Sequence, residues 1–565
     1  MGNPLFRTKK IDQIVKDGAD AEHTGGLKRV LTVRDLTFFG IAAILGAGSF
    51  SSLGGAIFNG GPGVTILFII TGIACAFTAF CYSDFASRIP VAGSAYTYAY
   101  ASFGELFAWI IGWALIMEYS IGNIYVAYSW SDYFTSLTDK LGWHIPSYLS
   151  TSYREVLHAK DDNPAIMAIW DQAPRIGGLR CILDIPALVI NLLITALVYV
   201  GIRESRSISN LMVILKLGVV LLIILVGGWL VFENGLTHNW LPAADDGMRS
   251  FMPNGFSGVM MAVSGVFFAY IGFDAVSVLA EESKNPQRDL PKGMIYSLVI
   301  CTIVYILLTL VLSGAVHYKQ FEGVGDPLAF IFEKQNLDIP WMQVIVSIVA
   351  VVAMTSVLLV FQMGQPRIWM SMSRDGLLPP VFQTIHARYK TPSFATIITG
   401  LVVGVPIIFT DKSFVLDFTS IATLFAFVLV CGGVLLLPRL EKQPGRFHLP
   451  FISSKVIYPV LLVLITGLIQ RKYPSYFTDL LDITNPDANP TFQISMLMFW
   501  LICYVLAVFA FIKNWSLIPL LGLVSCLYLL TGMTAMNWAW FSAWLLIGLV
   551  VYFLYGFNKS KLVQP

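Results

Sequence analysis

Charged residues are scarce in this chain of 565 residues: aspartate, glutamate, lysine and arginine together make up 12%. Soluble globular proteins carry about 25% charged residues, so an ordinary water-exposed surface is excluded. Hydrophobic residues make up 56%, and the mean hydropathy is +0.72. The formal net charge is only +2, which excludes the clustered basic excess typical of nucleic-acid binding. The composition predicts an integral membrane protein surrounded by a lipid bilayer.

Cysteine and histidine are also scarce, with seven of each. The cysteines form no CxxC motif, only Cys181 is expected near the outer surface, and the histidines show no ligand spacing. We therefore expect no disulfide framework, no metal site and no redox cofactor. An intramembrane enzyme would need a cluster of His, Ser or Asp near the end of a span, and the sequence has no such cluster. No catalytic residue is predicted.

Long apolar runs are what the sequence does contain. A transmembrane helix needs about 20 such residues, and the chain has fourteen segments of roughly that length. They cover 36–57, 63–88, 103–131, 182–202, 208–232, 255–280, 293–316, 341–371, 393–410, 413–437, 456–470, 493–512, 516–533 and 537–556. The eleventh and thirteenth are short, so the number of spans is twelve, thirteen or fourteen. Strand-like alternation is absent, which disfavours a barrel.

The distribution of lysine and arginine predicts the orientation. With an even number of spans, 24 cations fall on the side of the two termini and 11 on the opposite side, five of them in one long loop, 132–180. Cytoplasmic loops carry the excess of cations. Both termini, including the segment 1–34, are therefore expected in the cytoplasm. One further cation, Lys216, lies inside a span.

Two spans contain interruptions. Span one carries glycines at Gly46 and Gly48, and span six carries Gly272 in the run from Phe267 to Asp274. Unwound backbone at bilayer depth is tolerated only beside protein or a water-filled cavity. These spans begin two successive five-span units, 35–232 and 254–437, and matching interruptions in two halves point to a transporter built on inverted repeats. The alternative is that the glycines only let helices pack closely.

Such interruptions bind specific chemical groups. Free N–H groups at a broken helix end attract a carboxylate, and free C=O groups attract an ammonium or small cation. We expect a carboxylate to be held by the backbone amides of Gly46, Ala47, Gly48 and Ser49. Carbonyls of 268–271 would hold an amino group. A zwitterionic amino acid carries both groups.

Lys216, Glu118 and Asp274 stand out among the ionisable residues inside spans, where each is costly unless it is paired or faces a cavity. Lys216 lies in the middle of span five, where a buried lysine is suited to bind and release a proton. The alternative for Lys216 is a structural ion pair with Glu118 or Asp274. For Glu118 in span three, one prediction is contact with the substrate or with a proton. The alternative is a hydrogen bond that helps helices to pack. Asp274 is expected mainly to hold the unwound part of span six in shape.

The charged run 281–291 after span six, together with Arg367 and the run 373–379 after span eight, is suited to an inner gate that forms and breaks ion pairs. A solvated turn is the alternative for these charges.

Several motifs together resemble the amino acid–polyamine–organocation (APC) superfamily and, within it, the cationic amino acid transporter family. The span-six block is the most specific, and the resemblance covers about 25–557. The motifs are GAG at Gly46–Gly48, FFAYIGFDAV at Phe267–Val276, EESKNPQRDLP at Glu281–Pro291, SRDGLLP at Ser373–Pro379, DFTSIATLFAFVLV at Asp417–Val430 and GLVVYFLYG at Gly548–Gly556.

The resemblance implies a LeuT-like core of spans one to ten, with about four additional spans in 438–565. It implies import of L-amino acids across the plasma membrane, the inner membrane of a bacterium, by alternating access. The span-five lysine, Lys216, would replace a sodium ion, so that protons rather than a bound cofactor supply the energy. An exchanger or a non-transporting sensor is the alternative, and any small membrane subunit is not visible from the sequence.

The resemblance also assigns a substrate site, with Phe268 as an aromatic gate. Two departures from the family pattern stand out: Ser49 replaces an isoleucine, and Ala114 replaces an acid in span three. Cationic substrates therefore do not follow from the family name. The site residues carried over are Leu45, Gly46, Ala47, Gly48, Phe268, Ala269, Tyr270 and Ile271.

Overall fold

The computed structural model describes residues 7–9, 31–46, 48–89, 94–159, 164–201, 206–243, 248–438, 444–482 and 490–561. Within them, nine helical stretches are long and apolar enough to cross a membrane, and three shorter apolar helices accompany them. The prediction of an all-α polytopic membrane protein is confirmed. Each of the fourteen predicted segments coincides with one helix or with a helix broken into pieces.

Among the described residues, twelve of the fourteen predicted spans are unbroken helices. Many of their apolar side chains face outward, where lipid rather than water surrounds them. Their bounds are Val64–Arg88, Glu105–Lys140, Ile185–Val200, Arg206–Glu233, Pro286–Ala315, Pro340–Arg374, Ser393–Phe409, Lys412–Leu436, Ser454–Lys472, Pro490–Lys513, Leu517–Leu530 and Ala535–Val551 for spans two to five, seven to ten and eleven to fourteen.

Spans one and six are the broken ones, at the places where the glycines predicted interruptions. Span one begins with a capping box, in which the side chains of Thr32 and Asp35 each accept a hydrogen bond from the other residue's backbone amide. Span six resumes as a helix after Gly272. The pieces of span one are Val33–Ile44, a π-helical turn Gly48–Ser52 and Leu53–Gly60. The pieces of span six are Gly255–Met261, Val263–Phe268 and a 3-10 segment Asp274–Glu282.

Short helices connect the spans. They are Gly61–Gly63, Ser94–Ser102, Leu236–Trp240, Tyr318–Phe321, Pro327–Phe330, Pro380–Gln383, Tyr476–Leu481, a π-helical turn Tyr552–Gly556 and Phe557–Lys559.

The spans of the first ten pack in a regular pattern. Span two lies along span seven, span three along span eight, and span four along span nine. Spans one and six also touch, through Gly48–Ser52 and Val263–Phe268. Each contact joins span n to span n + 5, an arrangement expected of two repeats related by a pseudo-two-fold axis. The boundaries of the two repeats stay a prediction.

The long outer loop differs from its expected form. Span three continues as a helix to Lys140 instead of ending at 131, because its extra turns have polar partners: Asp132 bonds Lys412, and the Ser136 hydroxyl donates to Asp326 (2.8 Å). We call residues 141–183 the outer cap. Its described elements are helices Ser147–Leu149, Tyr153–Ala159 and Pro164–Gln172 and the hairpin Arg175–Ile176 and Leu179–Arg180. A small core of Val156, Ala173 and Ile182 holds them together.

Both chain ends meet on one face of the molecule. The Lys9 ammonium pairs with the Asp375 carboxylate at 3.1 Å, and the Lys561 amide donates to the Asp375 carbonyl at 3.1 Å. The described parts of the two ends, at Lys9 and Lys561, therefore lie at the same end of the helix bundle, which is compatible with the predicted orientation. Residues 10–30 of the predicted N-terminal segment lie outside the described residues.

Glu105, at the start of span three, holds the C-terminal end in place. Its side chain is fully buried and accepts hydrogen bonds from the hydroxyls of Tyr552 (3.0 Å), Ser560 (2.5 Å) and Tyr100 (3.2 Å). A buried carboxylate needs such donors because it has lost its contact with water. The network joins the C-terminal helical turn to span three.

We predict that Glu105→Ala leaves these buried hydroxyls without their acceptor and lowers the free energy of unfolding by about 3 kcal/mol. Glu105→Gln keeps one acceptor oxygen and should lose less. Thermal unfolding of the purified protein in detergent measures both. Equal stability of Glu105→Ala and the unmodified chain would contradict the role of this network.

Candidate substrate and coupling site

The two interruptions meet at the centre of the membrane bundle. A methyl group added at Gly48 would lie 2.4 Å from the Cα of Ala269, so the two backbones are in direct contact. Gly272 has a φ of 114° and lies against Ala43, where an added Cβ would be 3.0 Å from the carbonyl carbon. Glycine is needed at both positions, at Gly48 for space and at Gly272 also for conformation.

Two buried hydroxyls bridge the interruptions. The Tyr305 hydroxyl of span seven lies within hydrogen-bonding distance of the carbonyls of both Ile44 (2.8 Å) and Ala269 (2.7 Å). The Ser52 hydroxyl lies within hydrogen-bonding distance of the carbonyls of both Gly48 (2.6 Å) and Gly265 (2.9 Å). Side-chain hydroxyls thus supply hydrogen-bond donors next to the interrupted backbone, where the membrane offers no water.

The predicted site residues of span one lie together and are buried. Leu45, Gly46, Gly48 and Ser49 surround the break, while Ala47 lies outside the described residues. The Leu45 amide donates to Ile41, and the Ser49 amide and hydroxyl both approach the Gly46 carbonyl, at 3.1 and 3.0 Å. In this conformation these amides are engaged with the chain itself.

The predicted site residues of span six are divided between two roles. Phe268 and Ala269 lie beside the span-one break, and the Ala269 carbonyl also accepts the Tyr305 hydroxyl. Ile271 is buried, and its amide donates to the Phe268 carbonyl at 3.2 Å. The Tyr270 hydroxyl donates to Phe68 of span two at 2.8 Å, so this side chain braces the break.

An aromatic pair closes the outer side of the site. The rings of Phe268 and Tyr125 meet edge to face with centroids 4.5 Å apart. Above them is a cavity of about 670 Å³, which we call the outer vestibule. Tyr125, Ser51, Ser52 and Gly265 line it, so its floor is continuous with the two interruptions.

Lys216 lies behind the span-one break with 1% of its surface exposed. Its ammonium donates to the Ala42 carbonyl (3.3 Å) and to the Ser356 hydroxyl of span eight (2.5 Å). The lysine therefore links span five to span one and to span eight. Its contact in span one, Ala42, lies three residues before Leu45.

Glu118 and Asp274 are both almost fully buried, at 3% and 2% exposure. They lie close enough for their charges to interact. Asp274 is the first residue of the segment that follows the span-six break, as expected for a residue that shapes the break.

Charged residues also join span six to its neighbours at the inner end. Glu282 pairs with Arg367 of span eight at 3.7 Å, and its carbonyl accepts the Leu31 amide at the start of span one. The Lys284 amide donates back to the Leu31 carbonyl. The predicted inner-gate residues Glu282 and Arg367 thus contact each other.

The sequence did not lead us to predict the bridging hydroxyls of Tyr305 and Ser52, or Tyr125 as the partner of Phe268. Tyr305 is a single tyrosine in an aliphatic stretch of span seven, and a buried tyrosine hydroxyl usually has a partner, so its position was a usable signal. Ser52 and Tyr125 carried no comparable signal, because their roles depend on which helices lie opposite them.

We predict that Gly48→Ala reduces the initial rate of substrate uptake about tenfold or more, because the added methyl overlaps the Ala269 backbone. Gly55→Ala in the same span is the matched control, since nothing lies within 4 Å of its added Cβ. Uptake by proteoliposomes with equal protein content measures both. Equal rates for the two variants would contradict the close contact of the interruptions.

We also predict that Tyr305→Phe weakens substrate binding about tenfold, because the hydroxyl that bridges the carbonyls of Ile44 and Ala269 is lost. Tyr296→Phe on the same helix is the control, since that side chain is 49% exposed on the outer face of the bundle. Calorimetric titration with a transported substrate measures the change. Unaltered affinity in Tyr305→Phe would show that the bridge does not support the site.

Comparison with known proteins assigns the chain to a family. The amino acid permease family matches residues 31–501, and the family describing the C-terminus of these permeases matches 517–560. The chain is 36% identical over 565 residues to the branched-chain amino acid permease BcaP of Bacillus subtilis, covering 100% of both chains. It is 36% identical to the methylthioribose transporter of the same organism, covering 82% of this chain and 91% of that protein.

A plant relative extends the comparison. The chain is 30% identical to the mitochondrial cationic amino acid transporter 3 of Arabidopsis thaliana, covering 99% of this chain and 96% of that protein. The resemblance to the APC superfamily is confirmed, and these relatives are permeases and transporters rather than enzymes. With its multiple spans and full-length match, this chain belongs to the amino acid permease family.

Proposed function

We propose that the protein is a secondary active transporter that imports L-amino acids with protons by alternating access. The observation that carries the proposal is the contact between the broken backbones of spans one and six, directly beneath the Phe268–Tyr125 pair. Broken helix ends offer amides to a carboxylate and carbonyls to an ammonium. The Ser49 amide, now engaged with Gly46, would turn to the carboxylate.

The substrate class rests on this complementarity as well as on the relatives. Their names include branched-chain amino acids, cationic amino acids and methylthioribose. Methylthioribose has neither a carboxylate nor an ammonium group, so it would leave one set of backbone groups without a partner. A site of two broken helices with opposite polarity therefore favours a zwitterion. Phe268 would cover the bound substrate.

Proton coupling rests on Lys216. Its ammonium holds the Ala42 carbonyl beside the span-one break and the Ser356 hydroxyl of span eight. Loss of the proton would remove the charge from this contact and weaken the hold between spans five, one and eight. Proton binding and the shape of the substrate site would then be coupled through a few residues of span one. No bound cofactor enters this scheme; the transmembrane proton gradient supplies the energy.

The packing of spans one to four against their counterparts five spans later supports a LeuT-like core with two inverted repeats. Alternating access would then rock one group of spans against the other around the fixed site. We place the protein in the plasma membrane, or the inner membrane of a bacterium, with both ends in the cytoplasm.

Uptake by the purified protein in liposomes tests the proposal. We expect a pH gradient, acidic outside and without sodium, to drive accumulation of labelled amino acids, with methylthioribose included in the panel. A requirement for sodium, or transport of methylthioribose alone, would contradict it. Accumulation only when the liposomes are loaded with unlabelled amino acid would identify an exchanger instead.

We predict that Lys216→Met abolishes accumulation driven by the pH gradient while some substrate binding remains, because the stem is kept and the charge is lost. Leu217→Met introduces the same side chain at the next position and should retain pH-driven uptake. Accumulation and equilibrium binding are measured separately for each variant. Full pH-driven uptake by Lys216→Met would exclude this lysine as the coupling residue.

A further inference from the structure

The outer cap forms one wall of the outer vestibule. Its residues Thr151, Glu155 and His158 line the cavity opposite span ten. The cap has its own small core, and the Leu183 amide donates to the Tyr148 carbonyl at 3.0 Å, which closes the described part of the cap on itself. It is therefore a folded unit attached to spans three and four.

One residue fastens this unit to span ten. The Arg154 Nε lies 2.7 Å from the Asp411 Oδ2, and the guanidinium carbon lies 4.7 Å from the centre of the Phe414 ring. Asp411 also accepts the Phe414 amide (2.8 Å) and the Ser413 hydroxyl (2.7 Å), so it caps span ten. Arg154 thus contacts the first turn of span ten in two ways, through the charge of Asp411 and through the face of the Phe414 ring.

The same turn of span ten also contacts the aromatic gate formed by Tyr125 and Phe268. Lys412, next to Asp411, bonds Asp132 of span three, and its ammonium lies 5.6 Å from the centre of the Tyr125 ring. Tyr125 in turn packs on Phe268. A movement of the first turn of span ten away from span three would therefore also withdraw Lys412 from the gate.

We propose that the outer cap is a lid on the vestibule and that the Arg154–Asp411 contact is its latch, which must open before the Tyr125–Phe268 gate admits substrate. The latch and the Lys412–Asp132 pair act in parallel, since both join span ten to the unit formed by spans three and four. This inference rests on the proposed function, because it takes the vestibule as the path of the substrate.

The lid carries a titratable group. Glu155 lines the vestibule, where burial of its carboxyl by the surrounding protein, together with the neighbouring Asp132 and Asp411, raises its pKa from 4.5 to about 7, against the opposing effect of Lys412. Asp184 and His158 also line the vestibule, and Arg154 lies next to Glu155 on the cap helix.

A pKa that is raised only while the lid is docked makes docking dependent on pH. The docked lid binds the Glu155 proton more tightly than the released lid, so protonation favours docking. This contribution is fully present below the ordinary pKa of a glutamate and is lost as the pH rises through about 7. The lid should therefore open more readily at pH 8 than at pH 6.

Labelling of a cysteine in the vestibule tests the latch. The parent for this experiment is the full-length chain with two substitutions. Cys181→Ser removes the partly exposed native cysteine, and Ala56→Cys places a thiol among the buried residues of the vestibule wall. We expect Arg154→Gln and Asp411→Asn each to raise the rate of labelling by a membrane-impermeant maleimide about tenfold, with Arg154→Lys between them and the parent. Asp411→Asn keeps an oxygen that caps span ten, so it separates the latch from folding.

Arg175→Gln is the matched control, because this arginine is exposed on the hairpin of the same cap. Unchanged labelling in both latch variants, or an equal rise in Arg175→Gln, would overturn the lid. The labelling rate requires no transport, so a failure of amino acid uptake would contradict the proposed function and leave the lid standing.

The pH dependence has its own variant. We expect the labelling rate of the parent to rise between pH 6 and pH 8, after correction for the reactivity of a free thiol, and Glu155→Gln to remove that rise. Persistence of the rise in Glu155→Gln would exclude Glu155 as the titrating group.

Discussion

The contact between the backbones of Gly48 and Ala269 is the constraint on which the rest of the structure depends. Two helices are broken at the same depth, and the bilayer offers no water to satisfy their freed carbonyls. The protein meets this requirement with the hydroxyls of Tyr305 and Ser52, each of which contacts both interrupted spans. The interruptions are therefore a single unit held by side chains from its surroundings.

This unit lies between two charged groups that act at its ends. Behind it, Lys216 contacts the carbonyl of Ala42 in the same helix that breaks at Leu45. On the opposite side, Lys412 stands over the Tyr125 ring that packs on Phe268. A change at either lysine is separated from the proposed site by a few contacts, which is the physical basis of the proposed coupling between proton binding, gating and substrate binding.

Much of this arrangement follows from local chemistry. The glycine at 272 has a left-handed φ and the glycine at 48 has no space for a side chain, and both breaks were predictable from glycine alone. Burial of Lys216 followed from its position in an apolar run. The length of span three was not predictable, because its extra turns depend on Asp132 and Ser136 meeting Lys412 and Asp326, which lie far away in the chain. The predicted free amide of Ser49 is another such case, since the π-helical turn brings it to Gly46.

The sequence by itself determined that the chain lies in a membrane, where its helices run, which two of them break and that a lysine, Lys216, lies in the middle of a span. These features depend on hydropathy, on glycine and on residue order, all of which act over a few turns of helix. Only the tertiary structure decided what the buried polar groups contact: Ser356 beside Lys216, Tyr305 across the breaks, and Arg154 of the outer cap on span ten. A hydrogen bond or ion pair needs its partner within a few ångströms, and helix packing rather than residue order sets that distance.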